Sequence, residues 1–311
     1  MALSKEFKDY LIREIEKSGF PLEIEISSIL ESQKWVVINN RPYRDPDENE
    51  VRSIDVSAFH ESTAFDFERY NPLAFSPNLV IECKKSTTHA WVFFSRPAKG
   101  KVFSMSGQVY DFPKFFSTKA YMTKNKLAEP TFSYEYYFNY FMDPSRGMQH
   151  LHYADFNRTA ITYHEYKLQK GKESSMGGRE EIFKAVNQLV KFQSFETKET
   201  AGHVKGATSP YFPMVLSFLA IVFDGMLFEA IVGNGKVQLD ERDHVLLEVR
   251  YRPDYSSIDL NYWIDIVKRE YFQNYMEKIH LDISLIGDKI TSERKLLAAY
   301  LKKDSPFLGE D

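Results

Sequence analysis

Asn78-Leu79-Val80-Ile81-Glu82-Cys83-Lys84-Lys85 is the stretch on which the reading of this chain turns. A short apolar, β-branched run marks a buried strand, and charge arriving only at its C-terminal end marks the point where that strand surfaces. Successive side chains of a strand alternate, so Glu82 and Lys84 share one face while Ile81 and Cys83 take the other, with Cys83 toward the core. A carboxylate and an ammonium are thus presented together at a strand end.

Working upstream, residues 51–59 and 35–43 read as two further strands, joined into a hairpin by the polar turn Asp45-Pro46-Asp47-Glu48-Asn49. Asp55, flanked by Ile54 and Val56, is a lone carboxylate facing away from its apolar neighbours, and hairpin-like adjacency brings it beside Glu82. Two helices come first. Ser4 suits an N-cap, Phe7, Tyr10, Leu11 and Ile15 recur at helical spacing, and Gly19 stands where a C′ glycine would end the helix. Pro21 suits the first turn of the second helix, where Leu22, Ile26, Ile29 and Leu30 form an apolar stripe with Glu23 and Glu25 on its margins.

Working downstream, residues 86–177 are aromatic-rich and irregular, and read as strand extensions plus a long insertion after the Glu-x-Lys strand. A helix is expected over residues 179–195 from its Ile182, Val186, Leu189 and Val190 stripe. Asp224-Gly225 and Gly233-Asn234-Gly235 resemble hairpin turns, which divides residues 211–251 into three successive antiparallel strands. Two helices, about 260–280 and 290–302, are expected to close the chain. The class is therefore α/β: a mixed β-sheet flanked by helices, forming one domain over residues 1–311 with an insertion at about 86–177.

A chain of 311 residues can bury a substantial core, and 43% hydrophobic, 27% charged and 15% aromatic residues are globular values that exclude a fibrous or low-complexity protein. The single cysteine, Cys83, permits no intramolecular disulfide, and no zinc-type Cys/His spacing surrounds it; a reducing, cytoplasmic compartment is the expectation. The N-terminus, Met1-Ala2-Leu3-Ser4-Lys5-Glu6-Phe7-Lys8-Asp9, passes within a few residues into charge and lacks the apolar stretch of a signal peptide. The longest apolar run, residues 214–223, falls well short of the ~20 residues that span a bilayer. No membrane association is expected. A net charge of −4 offers no global attraction to polyanions, so a nucleic-acid partner requires a local positive groove, or a homodimer or partner subunit that supplies one.

Two acids and a lysine converging at low dielectric are what hard-cation chemistry needs, because Mg²⁺ takes carboxylate oxygens, waters and substrate phosphates. Asp55 and Glu82 are the expected ligands of Mg²⁺, or Mn²⁺ in its place, and Lys84 the group facing a reacting phosphate. Taken singly, each element has a plainer reading: Glu-x-Lys on a strand is usually a solvated ion pair, and an Asp between β-branched residues often marks an exposed strand face. Their occurrence together and in order, behind a glutamate-edged helix, changes the weighting. Other signals are weaker. His150, His152 and His164 have no spacing that fixes them to one face, Gly233-Asn234-Gly235-Lys236 lacks the rest of a phosphate-binding loop, and no G-x-S-x-G elbow occurs.

With these residues placed, the sequence resembles the PD-(D/E)xK nuclease superfamily, the restriction-endonuclease-like fold. The matching residues are Glu23 in Pro-Leu-Glu-Ile-Glu-Ile, Asp55 in Arg-Ser-Ile-Asp-Val, and Glu82 with Lys84 in Leu-Val-Ile-Glu-Cys-Lys-Lys, and the match covers roughly residues 20–85. The resemblance implies that Asp55 and Glu82 bind one or two divalent metals, that Lys84 positions the attacking water or stabilises the transition state, and that Glu23 precedes the hairpin as the helix glutamate. It implies hydrolysis of phosphodiesters, with DNA as the partner, in restriction and defence or in DNA processing. Ile54 stands where many members have proline. Glu25 is the second candidate for the helix glutamate, and Gln188 resembles a polar residue that some branches place near the site. The alternative is a nuclease-fold module without turnover that binds nucleic acid or a partner protein.

Overall fold

The structure, a computed structural model, describes residues 4–60, 73–97, 158–168, 180–206, 212–233, 235–252 and 260–284. Helix α1 (Lys5–Lys17) begins at Ser4, whose hydroxyl accepts from Phe7 N at 3.3 Å, and α2 (Phe20–Ser32) carries Pro21 in its first turn. Strands β1 (Trp35–Arg44) and β2 (Val51–His60) form the expected antiparallel hairpin. Strands β3 (Leu73–Lys85), β4 (His89–Pro97) and β5 (Arg158–Lys167) follow, then α3 (Glu180–Gly206). The chain continues through β6 (Phe212–Asp224), β7 (Leu227–Gly233), β8 (Lys236–Glu241), β9 (His244–Tyr251) and β10 (Leu260–Lys268). A 3₁₀ turn, Arg269–Tyr271, leads into α4, residues 272–284.

The ten strands of the described residues make one mixed sheet in the order β1-β2-β3-β6-β10-β9-β5-β4-β7-β8. At its centre β3, β6 and β10 run parallel, which buries them on both faces and accounts for their continuous apolar runs. One face carries Val80, Leu219, Ile221 and Ile264 beneath Ile182, Val186, Leu189 and Val190 of α3, so the helix expected from the 179–195 stripe lies on the sheet that holds Glu82. The opposite face is covered by α2, through buried Leu22, Ile26 and Leu30, and by α4, whose Tyr275 hydroxyl donates to Asp265 of β10 on the side away from Ile264 and Ile266. The sheet also folds over. A single bridge, Ala160↔Leu247, joins β5 to β9 among the described residues, and Trp91 of β4 stacks on Phe223 of β6 with ring centroids 3.9 Å apart.

Three expectations about elements differ from the structure. Asp224-Gly225 does not close a hairpin: β6 pairs in parallel with β3 and β10, while β7 crosses to pair with β4 and β8. Gly225 serves close approach instead, since a Cβ there would sit 2.8 Å from the Ser86 carbonyl oxygen. The second turn does close a hairpin, with Gly235 at φ 71°, but its partner is β8, a strand the hydropathy pattern did not mark. Residues 260–268, read as the start of a helix, are strand β10, and the helix begins only at 272. Within residues 86–177, β4 and β5 are members of the main sheet. The helix expected over 290–302 lies outside the described residues.

Candidate active site

The carboxyl ends of β3, β6 and β10 gather the charged residues Glu82, Lys84, Lys85, Asp224, Lys268 and Arg269, and in open α/β sheets ligands bind at the carboxyl ends of parallel strands. The pairing of β2 with β3 stops at Val56↔Ile81, and the strands fork. Beyond the fork a side chain replaces the ladder: Cys83 N donates to Asp55 Oδ2 at 2.8 Å. This bond turns the Asp55 carboxylate toward β3 and fixes it beside Glu82.

Lys84 closes the group. Its Nζ lies 2.6 Å from Glu82 Oε2 and 3.4 Å from Asp55 Oδ2, so the three residues singled out on β2 and β3 meet at one point. Glu82 is fully buried, whereas the Asp55 and Lys84 side chains keep 17% and 20% exposure. One oxygen, Glu82 Oε1, is buried without a hydrogen-bond partner among the described residues. Burial pushes the Glu82 carboxyl up, to about 8, with Lys84 opposing the shift and Asp55 adding to it. Burial acts to lower Lys84, but the two carboxylates outweigh it and hold the ammonium well above its usual range.

The remaining candidates divide. Glu23 of α2 is half-buried, and its carboxyl is raised first by burial and then by the charge of Asp55, against the pull of Lys84; it therefore belongs to the same electrostatic group. Glu25 does not: it binds Arg269, Oε2 to Nη2 at 2.6 Å and Oε1 to Nε at 3.0 Å. Gln188 donates from Nε2 to the Ser53 carbonyl at 3.2 Å, steadying β2 two residues before Asp55 and not touching the carboxylates. His164 hydrogen-bonds its neighbour's backbone, Glu165 O, at 2.8 Å, and His150 and His152 lie outside the described residues.

Gly19 differs from its sequence reading. It is not a left-handed C′ residue; its φ is −72°, and a Cβ on it would lie 3.4 Å from Glu23 Oε1 and 3.9 Å from the Cys83 carbonyl oxygen, ordinary van der Waals distances. It stands where the start of α2 passes the end of β3, and no signal in the sequence gives that proximity. Two further clusters also went unread. Lys85 reaches Glu16 O at 3.0 Å and Asp224 at 3.4 Å, tying α1 to the strand ends. Asp265, fully buried, takes His244 Nε2 at 2.8 Å and the Tyr275 hydroxyl at 3.0 Å, joining β9, β10 and α4.

Among the described residues no three His, Cys, Asp or Glu side chains are arranged to hold a metal ion. The oxygen-only pair Asp55 and Glu82, with Glu82 Oε1 lacking a partner among those residues, nonetheless fits a hard divalent cation that fills its other positions with water and substrate oxygens. No described helix is long and apolar enough to cross a membrane. No family model, curated protein or solved structure matches the chain.

Proposed function

We propose that this protein is a Mg²⁺- or Mn²⁺-dependent nuclease of the PD-(D/E)xK type, hydrolysing phosphodiester bonds in DNA. The observation that carries the reading is the contact of one ammonium, Lys84 Nζ, with both Asp55 and Glu82 at the end of a buried parallel strand. Asp55 and Glu82 would hold the cation, which when bound lowers the pKa of water and offsets charge on the phosphate. Lys84 supplies a fixed positive charge to the oxygens on which negative charge develops during hydrolysis, and the low dielectric around buried Glu82 strengthens that interaction. Glu23, raised by burial and by Asp55, is placed to hold or pass a proton at the edge of the same group.

The test is incubation of the full chain with single- and double-stranded DNA and RNA, with Mg²⁺ or Mn²⁺ and with EDTA. Metal-dependent cleavage of DNA that falls by about 10²–10³ in Lys84→Ala is the expected result. Cleavage that persists in EDTA, or undiminished in Lys84→Ala, contradicts it. One observation favours the alternative, a module that binds nucleic acid or a partner without turnover: Lys84 is already paired with both carboxylates and offsets one of their two charges. That reading predicts no cleavage by the wild type, and nucleic-acid binding that Lys84→Ala weakens by the salt-dependent amount of one phosphate contact.

A further inference from the structure

Among the described residues the sheet ends on β8, and that edge has no further strand paired to it. Val237 and Leu239 are 63% and 53% exposed, and Val232 beside them on β7 is 63% exposed. The opposite end of the sheet is guarded: β1 carries Pro42, and Asn40 at φ 50° interrupts it next to Arg41. β8 has no proline, no positive φ and an unbroken register against β7.

Its free groups can be assigned. Arg242 N, just past β8, donates to Leu227 O at 3.0 Å, so even-numbered positions turn their amides toward β7. Val237, Leu239 and Glu241 therefore direct N–H and C=O outward. We propose that a second copy of this chain covers this edge, β8 pairing antiparallel with the partner's β8 about a two-fold axis at Gln238. Outward-facing groups must meet outward-facing groups, which restricts the register to those centred on a residue. Centred on Gln238, Lys236 stands opposite the partner's Asp240, Val237 opposite the partner's Leu239, and Gln238 opposite the partner's Gln238. Each half repeats the other, so two opposite-charge pairs and two apolar pairs form at once. A centre at Leu239 would instead set Lys236 against the partner's Arg242, and one at Val237 would leave Asp240 facing the turn.

Sedimentation of the full chain should give twice the chain mass of 36.4 kDa. Lys236→Asp and Asp240→Lys each place like charges at both ends of the pairing, and each should weaken self-association on the order of tenfold or more. An equimolar mixture of the two variants should restore it, because the mixed pair again sets opposite charges against each other at both positions. Independently, Gln238→Cys places two thiols on the axis at a non-hydrogen-bonded pair, where Cα atoms about 4.5 Å apart permit a disulfide. Mild oxidation should then give a covalent dimer, and Cys83, buried and the sole native cysteine, does not compete. A wild type that stays monomeric through the micromolar range, single variants that stay dimeric, or a mixture that stays monomeric overturns the proposal. If Asp240→Lys fails to fold because Arg242 loses one of its two carboxylate partners, the crosslink decides: its absence overturns the pairing.

Discussion

Asp55 does two things with one carboxylate. Its Oδ2 caps Cys83 N where the β2–β3 ladder ends, and the same atom lies 3.4 Å from Lys84 Nζ. Two substitutions separate these roles. Asp55→Asn retains an acceptor for the amide, whereas Asp55→Ala leaves a buried N–H without one at a cost of about 1–3 kcal/mol. Both remove the negative charge and, if the chain is the nuclease proposed, should abolish cleavage. Urea unfolding should find only the alanine variant less stable than the asparagine variant by that amount; equal stabilities would mean that the Cys83 amide is satisfied by other means. The residues of this site were legible because their chemistry is local: strand alternation puts Glu82 and Lys84 on one face, and hairpin adjacency brings Asp55 to them. What is not local was not legible. The fork that turns Asp55 toward Cys83, and the approach of Gly19 to Glu23, depend on how α2 meets β3, and no spacing encodes that.

Among the elements, the β1–β2 turn is anchored to α3 by an ion pair. Asp45 Oδ1 accepts from Asp47 N at 2.9 Å and Glu48 N at 3.2 Å, and Lys191 Nζ lies 3.0 Å from Oδ2. Burial acts to raise the Asp45 carboxyl, but Lys191 and the two amides outweigh it and the net shift is downward. A carboxyl lowered in the folded state contributes stability above its unfolded value of ~3.9, and that contribution is lost as pH falls through the folded value. Asp45→Asn should therefore cost about 1.5–3 kcal/mol in urea unfolding at pH 7, and the deficit should shrink below pH ~4. A deficit independent of pH would assign the effect to packing. Gly225→Ala should cost about 1–3 kcal/mol by overpacking, because the added carbon meets the Ser86 carbonyl and the Phe223 ring. The element errors share this origin. Asp-Gly is a hairpin turn only when the next strand has its neighbour's edge free, and β6 has both edges taken, by β3 and β10. Strand β10 is buried on both faces, so Tyr262, Trp263, Ile264, Ile266 and Val267 show no clear period of two and merge with the helical pattern that follows.

The molecule as a whole hangs on the fold of its sheet. Six strands, β1-β2-β3-β6-β10-β9, and four, β5-β4-β7-β8, are joined by one described bridge, so side-chain packing across the bend must supply what the ladder does not. Phe223, fully buried, is the centre of that packing: it stacks on Trp91 at an interplanar angle of 8° and stands opposite Lys84 in the β3–β6 register. Truncating it should cost about 3–5 kcal/mol, the range for a buried phenylalanine reduced to alanine. The form of the loss also identifies the cooperative unit. Of the three tryptophans, Trp35 and Trp263 lie in the six-stranded part and Trp91 in the four-stranded part. If the sheet unfolds as one body, tryptophan fluorescence and far-ultraviolet circular dichroism should report the same urea midpoint in the wild type. Both should shift together in Phe223→Ala. Transitions that separate in the variant, with an early change in the Trp91 signal, would make the four-stranded part a unit of its own, docked on the sheet that carries Asp55, Glu82 and Lys84. In that case the site should outlast the loss of β4 and β7.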